Sequence, residues 1–510
     1  MTAEATRLTA TALLDLVLDD GSYLSWDRPF VRAELSEEYG AQLAGAEAKT
    51  GQDEAVITGE GSIHGHRVAV LASEFGFLAG SIGVNAAERL VLAIERATAD
   101  GLPLLAAPVS GGTRMQEGTV AFVQMVKITS AICQHKAAGH PYLVYLRNPT
   151  TGGVMASWGS LGHVTVAEPG ALLGFLGPRV YEAIYGRPFP EGVQTAENLF
   201  AHGLIDAVLP PEALAEIVHR ALQVMMAPRK PPADEQHPGD EPVGVSDAWD
   251  SVTRARNPRR PGVRRLLRYA ATDVIPLNGS GQGETDPGLL LALARFGGAP
   301  CVLLGQDRRG QTLLSPLGPG ALREARRGMH LADELNLPLV TVIDTPGAAL
   351  SVEAEEGGLA GEIARCLADM VMLQAPTLTV MMGQGTGGGA LALLPADRVV
   401  AAQHGWLSPL PPEGASAIRF RTPDRAAEMA RAQGVDAHSL SRASPWRGRS
   451  GADRRRRGSA NLARRRPRGG RRTTQASSPS AARPARHRGR RPPMGAGRPT
   501  PARGSRSRRD

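Results

Sequence analysis

The chain has 510 residues, enough for two or three domains with sizeable cores, and 42% of its residues are hydrophobic, which is normal for a globular protein. Its formal net charge of +8 is unevenly distributed, because residues 441–510 carry 23 Arg, no Lys and two Asp, so the residues before them are net acidic. The three cysteines, Cys133, Cys301 and Cys366, are scattered without a CxxC pair, which argues against a structural zinc site and for a reducing compartment.

Nothing in the sequence predicts secretion or membrane insertion. The N-terminal segment MTAEATRLTATALLDLVLDDGSY places Asp and Glu among its apolar positions, unlike a signal peptide. No run of about 18 uninterrupted apolar residues occurs, so we expect no membrane span. We therefore expect a cytoplasmic protein.

Short apolar runs alternate with helical patterns on both sides of a Pro- and charge-rich stretch, residues 227–250, which we interpret as a linker. The runs HRVAVLASEF, PLLAAPV and PYLVYL predict strands before it, and APCVLLG, PLVTVI and PTLTVMM predict strands after it. Helical patterns such as AAERLVLAIERATADG and ALREARRGMHLADELN lie between the strands. This alternation predicts an α/β fold with one domain at residues 1–226 and a second at residues 251–440, followed by a tail at residues 441–510.

The two predicted domains are related by an internal repeat with one constant offset in numbering. LPLLAAPVSGG, which begins at Leu102, aligns with LPLVTVIDTPG, which begins at Leu337. At the same offset, the Thr-Gly-Gly at residues 151–153 aligns with the Thr-Gly-Gly at residues 386–388. Each half is therefore predicted to be a copy of one fold, with a glycine-bearing turn after each of two strands.

The repeated glycine turns join predicted strands to predicted helices. Glycine lets a ligand approach the backbone, and first-turn N–H groups lack helical partners, so two such turns at neighbouring strand ends suit a negative oxygen, as in an oxyanion hole. A tight turn without a ligand is the simpler interpretation of any single pair. GQGTGG, with Gly383, Gly385 and Gly388, also matches the dinucleotide pattern G-x-G-x-x-G, but no acidic residue ends the next predicted strand, RVVAAQ. Neither half has the Gly-Lys-Ser/Thr of a phosphate-binding P-loop.

Several segments resemble the carboxyltransferase subunits of bacterial acetyl-CoA carboxylase. In the first half FLAGSIG, SGGTRMQEG, NPTTGGVMAS, GFLGPRV and EGVQTAENLFAHGLIDAVLP resemble the β subunit. In the second half PLVTVIDTPGA, EAEEGGLAGEIARCLADM, GTGGGALALL and the PEGASAI region resemble the α subunit. The likeness covers about residues 55–440, and the chain resembles a β–α fusion.

The resemblance implies a crotonase-type fold in each half and transfer of CO2 from carboxybiotin, on a separate carrier protein, to acetyl-CoA or alternatively propionyl-CoA. Two transient oxyanions arise, one on the thioester and one on the biotin ureido group, which accounts for two sets of backbone donors. The resemblance assigns these donors to glycines in the four turns. They are Gly111 or Gly112 with Gly152 or Gly153 in the first half, and Gly347 with Gly388 or Gly389 in the second.

The same resemblance suggests positions for binding coenzyme A. Leu78–Gly83, with Gly80 and Ser81, resembles the adenine-side loop, and Arg114 and Arg323 are candidates to meet phosphates. A purely structural role is an alternative in each case: a plain glycine turn, a salt bridge that holds a turn, or a solvated helix face.

The resemblance also implies partners. Biotin carboxyl carrier protein and biotin carboxylase are expected as separate chains, because no ATP-grasp motif and no Met-Lys-Met biotin attachment site occurs here. The family's active site lies between a β-type half and an α-type half of different protomers, so we expect a homodimer or higher oligomer. A malonyl-thioester decarboxylase on the same paired fold and a non-catalytic scaffold are the alternatives.

Two features depart from the family pattern. The free-standing β subunit begins with a four-Cys zinc ribbon, which is missing here, so we expect no zinc. Residues 441–510 contain one Leu and no Val, Ile or Phe, and we expect them to be disordered. A shifted reading frame in a GC-rich gene and a native tail that binds nucleic acid both account for the arginines, and the scarcity of aromatic residues favours the former.

Overall fold

The structure is a computed structural model that describes residues 7–30, 36–228, 246–312 and 314–443. Its strands are β1 Leu24–Ser25, β2 Val56–Ile63, β3 His66–Ser73, β4 Leu104–Ala107, β5 Tyr142–Leu146, β6 Thr150–Thr151, β7 Val164–Ala167, β8 Leu173–Gly174, β9 Ala207–Val208, β10 Ala271–Leu277, β11 Leu289–Phe296, β12 Ala299–Gln306, β13 Leu339–Thr345, β14 Thr377–Thr386, β15 Arg398–Ala401 and β16 Trp406–Ser408. Its α-helices are α1 Ala10–Val17, α2 Glu37–Thr50, α3 Val84–Ala99, α4 Gly118–Ala137, α5 Gly152–Met155, α6 Pro178–Tyr185, α7 Ala196–Ala201, α8 Leu214–Met225, α9 Ala248–Ala255, α10 Val263–Ala270, α11 Pro319–Glu334, α12 Val352–Glu356, α13 Leu359–Met372, α14 Gly387–Leu391, α15 Pro412–Phe420, α16 Ala426–Gln433 and α17 Ala437–Ala443. Most of the predicted linker and the predicted tail from residue 444 onward lie outside the described residues.

The first half is built on a seven-stranded sheet with the order β1-β2-β3-β4-β5-β7-β9. β1, β2 and β3 pair antiparallel, and each later pair is parallel. Parallel neighbours need crossover connections, which α3 and α4 provide here. Every residue of β4 and β5 is buried, which explains why their sequences are continuous apolar runs instead of alternating patterns.

The second half repeats this plan. Its sheet has the order β10-β11-β12-β13-β14-β15, with β16 pairing alongside the far end of β14. Leu104 pairs with Tyr142 in the first sheet, and Leu339 pairs with Thr377 in the second, so the two registers agree at the offset of the internal repeat. The predicted repeat is thus present in the strand pairing, and the predicted α/β fold with two sheet-containing domains is confirmed.

Helix α8 joins the two halves through one apolar face. Leu214, Val218, Ala221, Leu222 and Met225 recur at spacings of three or four positions and are all buried. This face packs against β10 and β11, and one core cluster contains residues of both sheets. The described residues therefore belong to one compact unit.

Three further findings bear on the expectations above. Within the described ranges, no helix combines the length and apolarity that crossing a membrane requires. Nor do those ranges hold a group of three or more His, Cys, Asp or Glu side chains placed to bind a metal ion. Cys301 and Cys366 are buried free thiols, while Cys133 is an exposed one.

Candidate active site

The first pair of glycine turns lies beyond the carboxyl ends of β4 and β5. Gly111 and Gly112 are in the loop after β4, and Gly152 and Gly153 begin α5. Gly112 has φ +113° and Gly152 has φ +63°, both in the left-handed region that favours glycine. A Cβ built on Gly152 would lie only 3.2 Å from the Cα of Gly112, so a side chain there would have to move the two turns apart by a few tenths of an ångström. The structure therefore brings the four glycines predicted for the first half together.

The second pair of turns has the same arrangement beyond β13 and β14. Gly347 has φ +135°, and Gly387, which begins α14, has φ +65°. A Cβ on Gly347 would lie 3.8 Å from the Cγ2 of Thr386, and a Cβ on Gly389 would lie 3.4 Å from the Cβ of Ala348. The loop after β13 and the start of α14 are thus in contact, as predicted.

A side-chain hydroxyl group holds the glycine loop after β4 and the one after β13 by a hydrogen bond. The Oγ of Ser110 accepts the N–H of Gly112 at 3.0 Å, and the Oγ1 of Thr345 accepts the N–H of Gly347 at 3.1 Å. These two pairs are equivalent in the internal repeat. Sequence reasoning missed both hydroxyl residues, although a Ser or Thr two positions before a repeated glycine was the available signal.

The amide donors of the first site differ in what they already bond. The N–H of Gly111 donates to the carbonyl of Ala79 at 2.9 Å, and that of Gly152 donates to the carbonyl of Phe175 at 3.0 Å. Gly153 lies in the first turn of α5, where backbone N–H groups have no intrahelical acceptor. The amide of Gly153 is therefore the donor best placed to serve a ligand.

In the second site, Gly388 and Gly389 occupy the first turn of α14 and have the same freedom. Both are closely packed, because a Cβ on Gly388 would lie 2.6 Å from Ile363 Cδ1 and a Cβ on Gly389 would lie 3.0 Å from Leu317 Cδ2. A side chain at either position would have to displace these side-chain ends or the turn itself.

The predicted adenine-side loop is a left-handed turn packed against the first site. Leu78, Ala79 and Gly80 have φ values of 46°, 56° and 64°. A Cβ on Gly80 would lie 2.1 Å from the carbonyl oxygen of Val109, so only glycine fits there. Two consecutive non-glycine residues in this conformation store strain, which is typical of functional sites. The hydroxyl of Ser81 closes the turn by donating to the carbonyl of Leu78 at 2.8 Å.

Arg114 is buried and links this turn to the first site through hydrogen bonds. Its guanidinium is fully buried and makes two hydrogen bonds with the Glu54 carboxylate, at 2.7 and 2.8 Å. It also donates to the carbonyl of Ser81 at 2.7 Å. Burial alone would lower the pKa of Arg114, but the hydrogen bonds with Glu54 raise it above its usual value, so the group stays charged. The guanidinium is therefore engaged inside the protein.

Arg323, on α11, is also engaged by neighbouring groups. It pairs with the carboxylates of Glu284 and Glu362, the latter at 3.1 Å, and donates to the carbonyl of Gly357 at 2.6 Å. The hydrogen bond with Glu284 raises the pKa of Arg323. These contacts tie α11 to the start of α13.

A cavity of about 460 Å³ opens beside the left-handed turn. Its lining includes Phe75, Gly76 and Ala79, together with the basic side chains of Arg7 and Lys49. The guanidinium of Arg7 lies over the Phe75 ring at 4.3 Å from its centroid. The cavity thus combines an aromatic ring and two cations, which suits a phosphorylated nucleoside.

A buried polar network supports the second site. Gln306 donates to the carbonyl of Gly389 at 2.7 Å and accepts the N–H of Asp344 at 3.0 Å. The fully buried carboxylate of Asp344 forms an ion pair with Arg260. The carboxylate also accepts the N–H of Gln384 at 3.3 Å. Sequence reasoning missed this network because its members come from separate segments of the chain.

Two sheets of the same crossover plan, each ending in a pair of contacting glycine turns, define a tandem crotonase-like protein. The model of the carboxyl transferase domain family matches residues 2–464. A probable biotin-dependent acyl-coenzyme A carboxylase beta3 subunit of Mycobacterium tuberculosis is 61% identical over 434 residues, which is 85% of this chain and 87% of that protein. The acetyl-coenzyme A carboxylase carboxyl transferase subunits beta/alpha of Salinispora arenicola are 37% identical over 443 residues, 82% of this chain and 78% of that protein.

The chain belongs to the carboxyl transferase domain family. A crystal structure of transcarboxylase 12S, described as a hexamer with hydrolysed methylmalonyl-coenzyme A bound, matches with a TM-score of 0.69 at 22% identity over 92% of each chain, which shows the shared fold. The sequence-based prediction of the carboxyltransferase family is therefore confirmed. The finer prediction of a fused acetyl-CoA carboxylase subunit stays a prediction.

Proposed function

We propose that the chain is the carboxyltransferase component of a biotin-dependent acyl-CoA carboxylase and that it forms malonyl-CoA from acetyl-CoA. The observation that supports this most is the duplicated backbone of the site. Gly112 and Gly347 share one left-handed conformation, Gly152 and Gly387 share another, and each pair is related by the offset of the internal repeat. Carboxyl transfer creates two oxyanions on two substrates, and a protein with two similar donor sites suits that chemistry.

In the first site, the thioester oxygen of acyl-CoA accepts from the amide of Gly153. The N–H of Gly111 now donates to the carbonyl of Ala79. It supplies a second donor to the substrate once the thioester oxygen replaces that carbonyl. The Gly153 amide is held in the first turn of α5 and is therefore oriented before the reaction, and losing one such donor costs about 10²–10³ in rate. Both relatives named above are described as acting on acyl- or acetyl-coenzyme A, which supports a thioester here.

The nucleotide end of coenzyme A occupies the 460 Å³ cavity beside Ala79, with its phosphates near Arg7 and Lys49. Arg114 and Arg323 then have a positioning role instead of binding the phosphates. Their guanidinium groups already face carboxylates, and they hold the loops on which the site depends.

In the second site, the amides of Gly388 and Gly389 face the ureido oxygen of biotin carried by a separate protein. Carboxybiotin supplies the CO2 and leaves negative charge on that oxygen. Gln306 holds the carbonyl of Gly389, which keeps the first turn of α14 in place while charge develops. Gly347 lies against Thr386, just before α14, and its loop forms the other wall of the site.

The protein works as a homodimer or higher oligomer with a biotin carrier and a biotin carboxylase. Exposed apolar side chains lie on α4 near the first site, with Phe122 62% and Val126 72% exposed. Others lie on α12 and just before it, near the second site, with Leu350 96% and Val352 66% exposed. Pairing these faces between protomers covers them and sets the first site of one protomer against the second site of the other.

A transfer assay tests the proposal. The purified chain is incubated with biotinylated carrier and malonyl-CoA, and carboxyl transfer to biotin is measured; the forward reaction is compared for acetyl-, propionyl- and butyryl-CoA. We expect carrier-dependent transfer with acetyl-CoA preferred. A preference for propionyl-CoA corrects the substrate alone, whereas CO2 release from malonyl-CoA without the carrier assigns the site to a decarboxylase and refutes the proposal.

A further inference from the structure

A cavity of about 740 Å³ lies between the two halves of the chain. Its walls come from β7, β9, α7 and α8 of the first half and from β10, β11 and α11 of the second. The cavity is at the β10 edge of the second sheet, opposite the β15 edge, and none of the glycines assigned to the two candidate sites lines it. Its volume is within the range of about 300–1,000 Å³ that is usual for sites that bind small molecules.

Most of the cavity wall is apolar. Valine, isoleucine and leucine side chains from β7, β10 and β11 line it: Val164, Val166, Ile275, Leu277, Leu289 and Leu291. A hydrocarbon group that enters this space loses its contact with water, and that burial is favourable. The body of a ligand for this cavity is therefore expected to be hydrocarbon.

Two acids at the wall are already satisfied by the protein. The carboxylate of Asp206 makes two hydrogen bonds with the guanidinium of Arg327, at 2.8 and 2.9 Å. The carboxylate of Asp286 accepts the N–H of Gly288 at 2.8 Å and that of Gly318 at 2.9 Å. Neither acid needs a ligand.

Two cations at the wall are engaged as well. Arg220 donates to the carbonyl of Val274 at 2.6 Å, and Arg264 donates to the carboxylate of Asp307 at 2.6 Å. The second of these contacts is an ion pair. The arginines at the cavity are therefore held by the protein and do not call for an anion.

Glu324, on α11, is different from these four groups. It lines the cavity and is only 4% exposed, yet no residue in the described part of the chain makes a hydrogen bond with its carboxyl group. A buried polar group without a partner is costly, and a ligand that bonds with it removes that cost. Glu324 thus marks the place where the polar group of a ligand belongs.

The protonation of Glu324 decides what kind of polar group this is. Burial raises the pKa of Glu324 to about 8; the charge of Arg327 opposes the rise, and Asp286 and Asp206 add to it. At pH 7 the carboxyl group therefore carries its proton and has an O–H to donate. A cationic ligand would require Glu324 to ionise in an apolar cavity, and an anionic ligand would lose its own hydration beside two acids, so both are unfavourable.

We propose that the cavity between the two halves binds an uncharged amphiphile, a molecule with a hydrocarbon body and a hydroxyl or carbonyl oxygen at one end. The hydrocarbon body lies against β7, β10 and β11, and the oxygen accepts the O–H of Glu324. Straight-chain alcohols, aldehydes and ketones belong to this class. The site is separate from both pairs of glycine turns, and its occupancy does not depend on carboxyl transfer.

Equilibrium dialysis of the full chain with radiolabelled 1-octanol at pH 7 tests the proposal. We expect saturable binding with one molecule per chain. Octylammonium and octanoate have the same hydrocarbon chain with a charged end, and each should bind more than about tenfold more weakly. Absence of saturable octanol binding overturns the proposal, and so does tighter binding of either ion.

Two variants at one position show whether Glu324 holds the oxygen. Glu324→Gln keeps an uncharged donor of similar size, so octanol affinity should stay within about twofold at pH 7, whereas Glu324→Leu removes the donor and should weaken binding about fivefold. In the unmodified chain the affinity should fall above about pH 8, where Glu324 ionises, and in Glu324→Gln it should not change with pH. Unweakened binding in Glu324→Leu, or the same pH profile in the unmodified chain and in Glu324→Gln, overturns the proposal. Carboxyltransferase activity is assayed separately, so failure of either proposal is recognised independently of the other.

Discussion

Replacement of Gly152 by Ala separates the chemistry of the first site from the strain of its backbone. Gly152 has φ +63°, and its Cβ would lie 3.2 Å from the Cα of Gly112. Gly186, which ends α6, has φ +66° with nothing within 4 Å of its Cβ. Gly186→Ala therefore imposes the same backbone conformation on an alanine but no contact, and it is the matched control.

The expected magnitudes follow from these contacts. A left-handed non-glycine residue costs roughly 1–2 kcal/mol, so both variants should lose similar stability, at about 2–4 °C per kcal/mol for domains of about 150–250 residues. Only Gly152→Ala pushes the first turn of α5 away from the loop that carries Gly112. Displacing one preorganised donor costs about 10²–10³ in rate, so we expect kcat to fall about 100-fold in this variant.

The assay is steady-state carboxylation of acetyl-CoA with biotinylated carrier, and thermal unfolding is measured on the same preparations. Gly186→Ala should keep the activity of the unmodified chain. Equal activity in the two variants, with equal losses of melting temperature, contradicts the assignment of the first site, because the contact at Gly152 would then have no bearing on the reacting oxygen.

Three other perturbations have clear expected outcomes. Arg114→Met leaves the buried carboxylate of Glu54 without its partner, so unfolding free energy in denaturant titrations should fall by about 3–5 kcal/mol, whereas Arg67→Met at an exposed pair should change it little. Burial raises the pKa of Glu324 to about 8, so this acid stays protonated in the folded protein after it ionises in the unfolded chain. Folding stability is therefore lost as pH rises from about 4.5 towards 8, and Glu324→Gln should raise the melting temperature at pH 8 but not at pH 4.5. Val126→Asp on the exposed face of α4 should shift the protein to monomers in light scattering without lowering its melting temperature, and an unchanged oligomer would place the interface elsewhere.

The strands could be predicted because strands that are buried on both faces consist of continuous apolar residues. The runs PYLVYL and PLVTVI correspond to β5 and β13, which lie between parallel neighbours inside their sheets and need apolar residues on both faces. The internal repeat then indicated which strands are equivalent, and the pairing of Leu104 with Tyr142 and of Leu339 with Thr377 confirms it. Local pattern and duplication together were enough for the fold.

The supports of the site could not be predicted in the same way. Gln306 lies at the end of β12 yet bonds Gly389, and Arg260 precedes α10 yet pairs with Asp344. Such contacts depend on how distant segments meet after folding, and a single Gln or Arg has no periodic signal. Arg114 shows a different difficulty, because its sequence position gives a misleading signal. A basic residue beside a glycine turn suggests a phosphate ligand, and only the structure shows that this side chain is buried.

The two sites share one backbone arrangement, but the hydroxyl that holds the donor loop bonds to a different group in each site. This difference suits two different anions. In the first site, the Ser110 hydroxyl donates to the carbonyl of Gly80 at 2.6 Å, within the strained turn beside the 460 Å³ cavity. In the second, the Thr345 hydroxyl donates to the side chain of Gln311 at 2.6 Å, away from any such turn. A ligand that enters the cavity and shifts the turn therefore acts directly on the donor loop of the first site. Among the described residues, the second site has no equivalent hydrogen bond to a strained turn, so under the proposed function a shift of that turn reaches the donor loop of the first site and has no matching contact through which to reach the second.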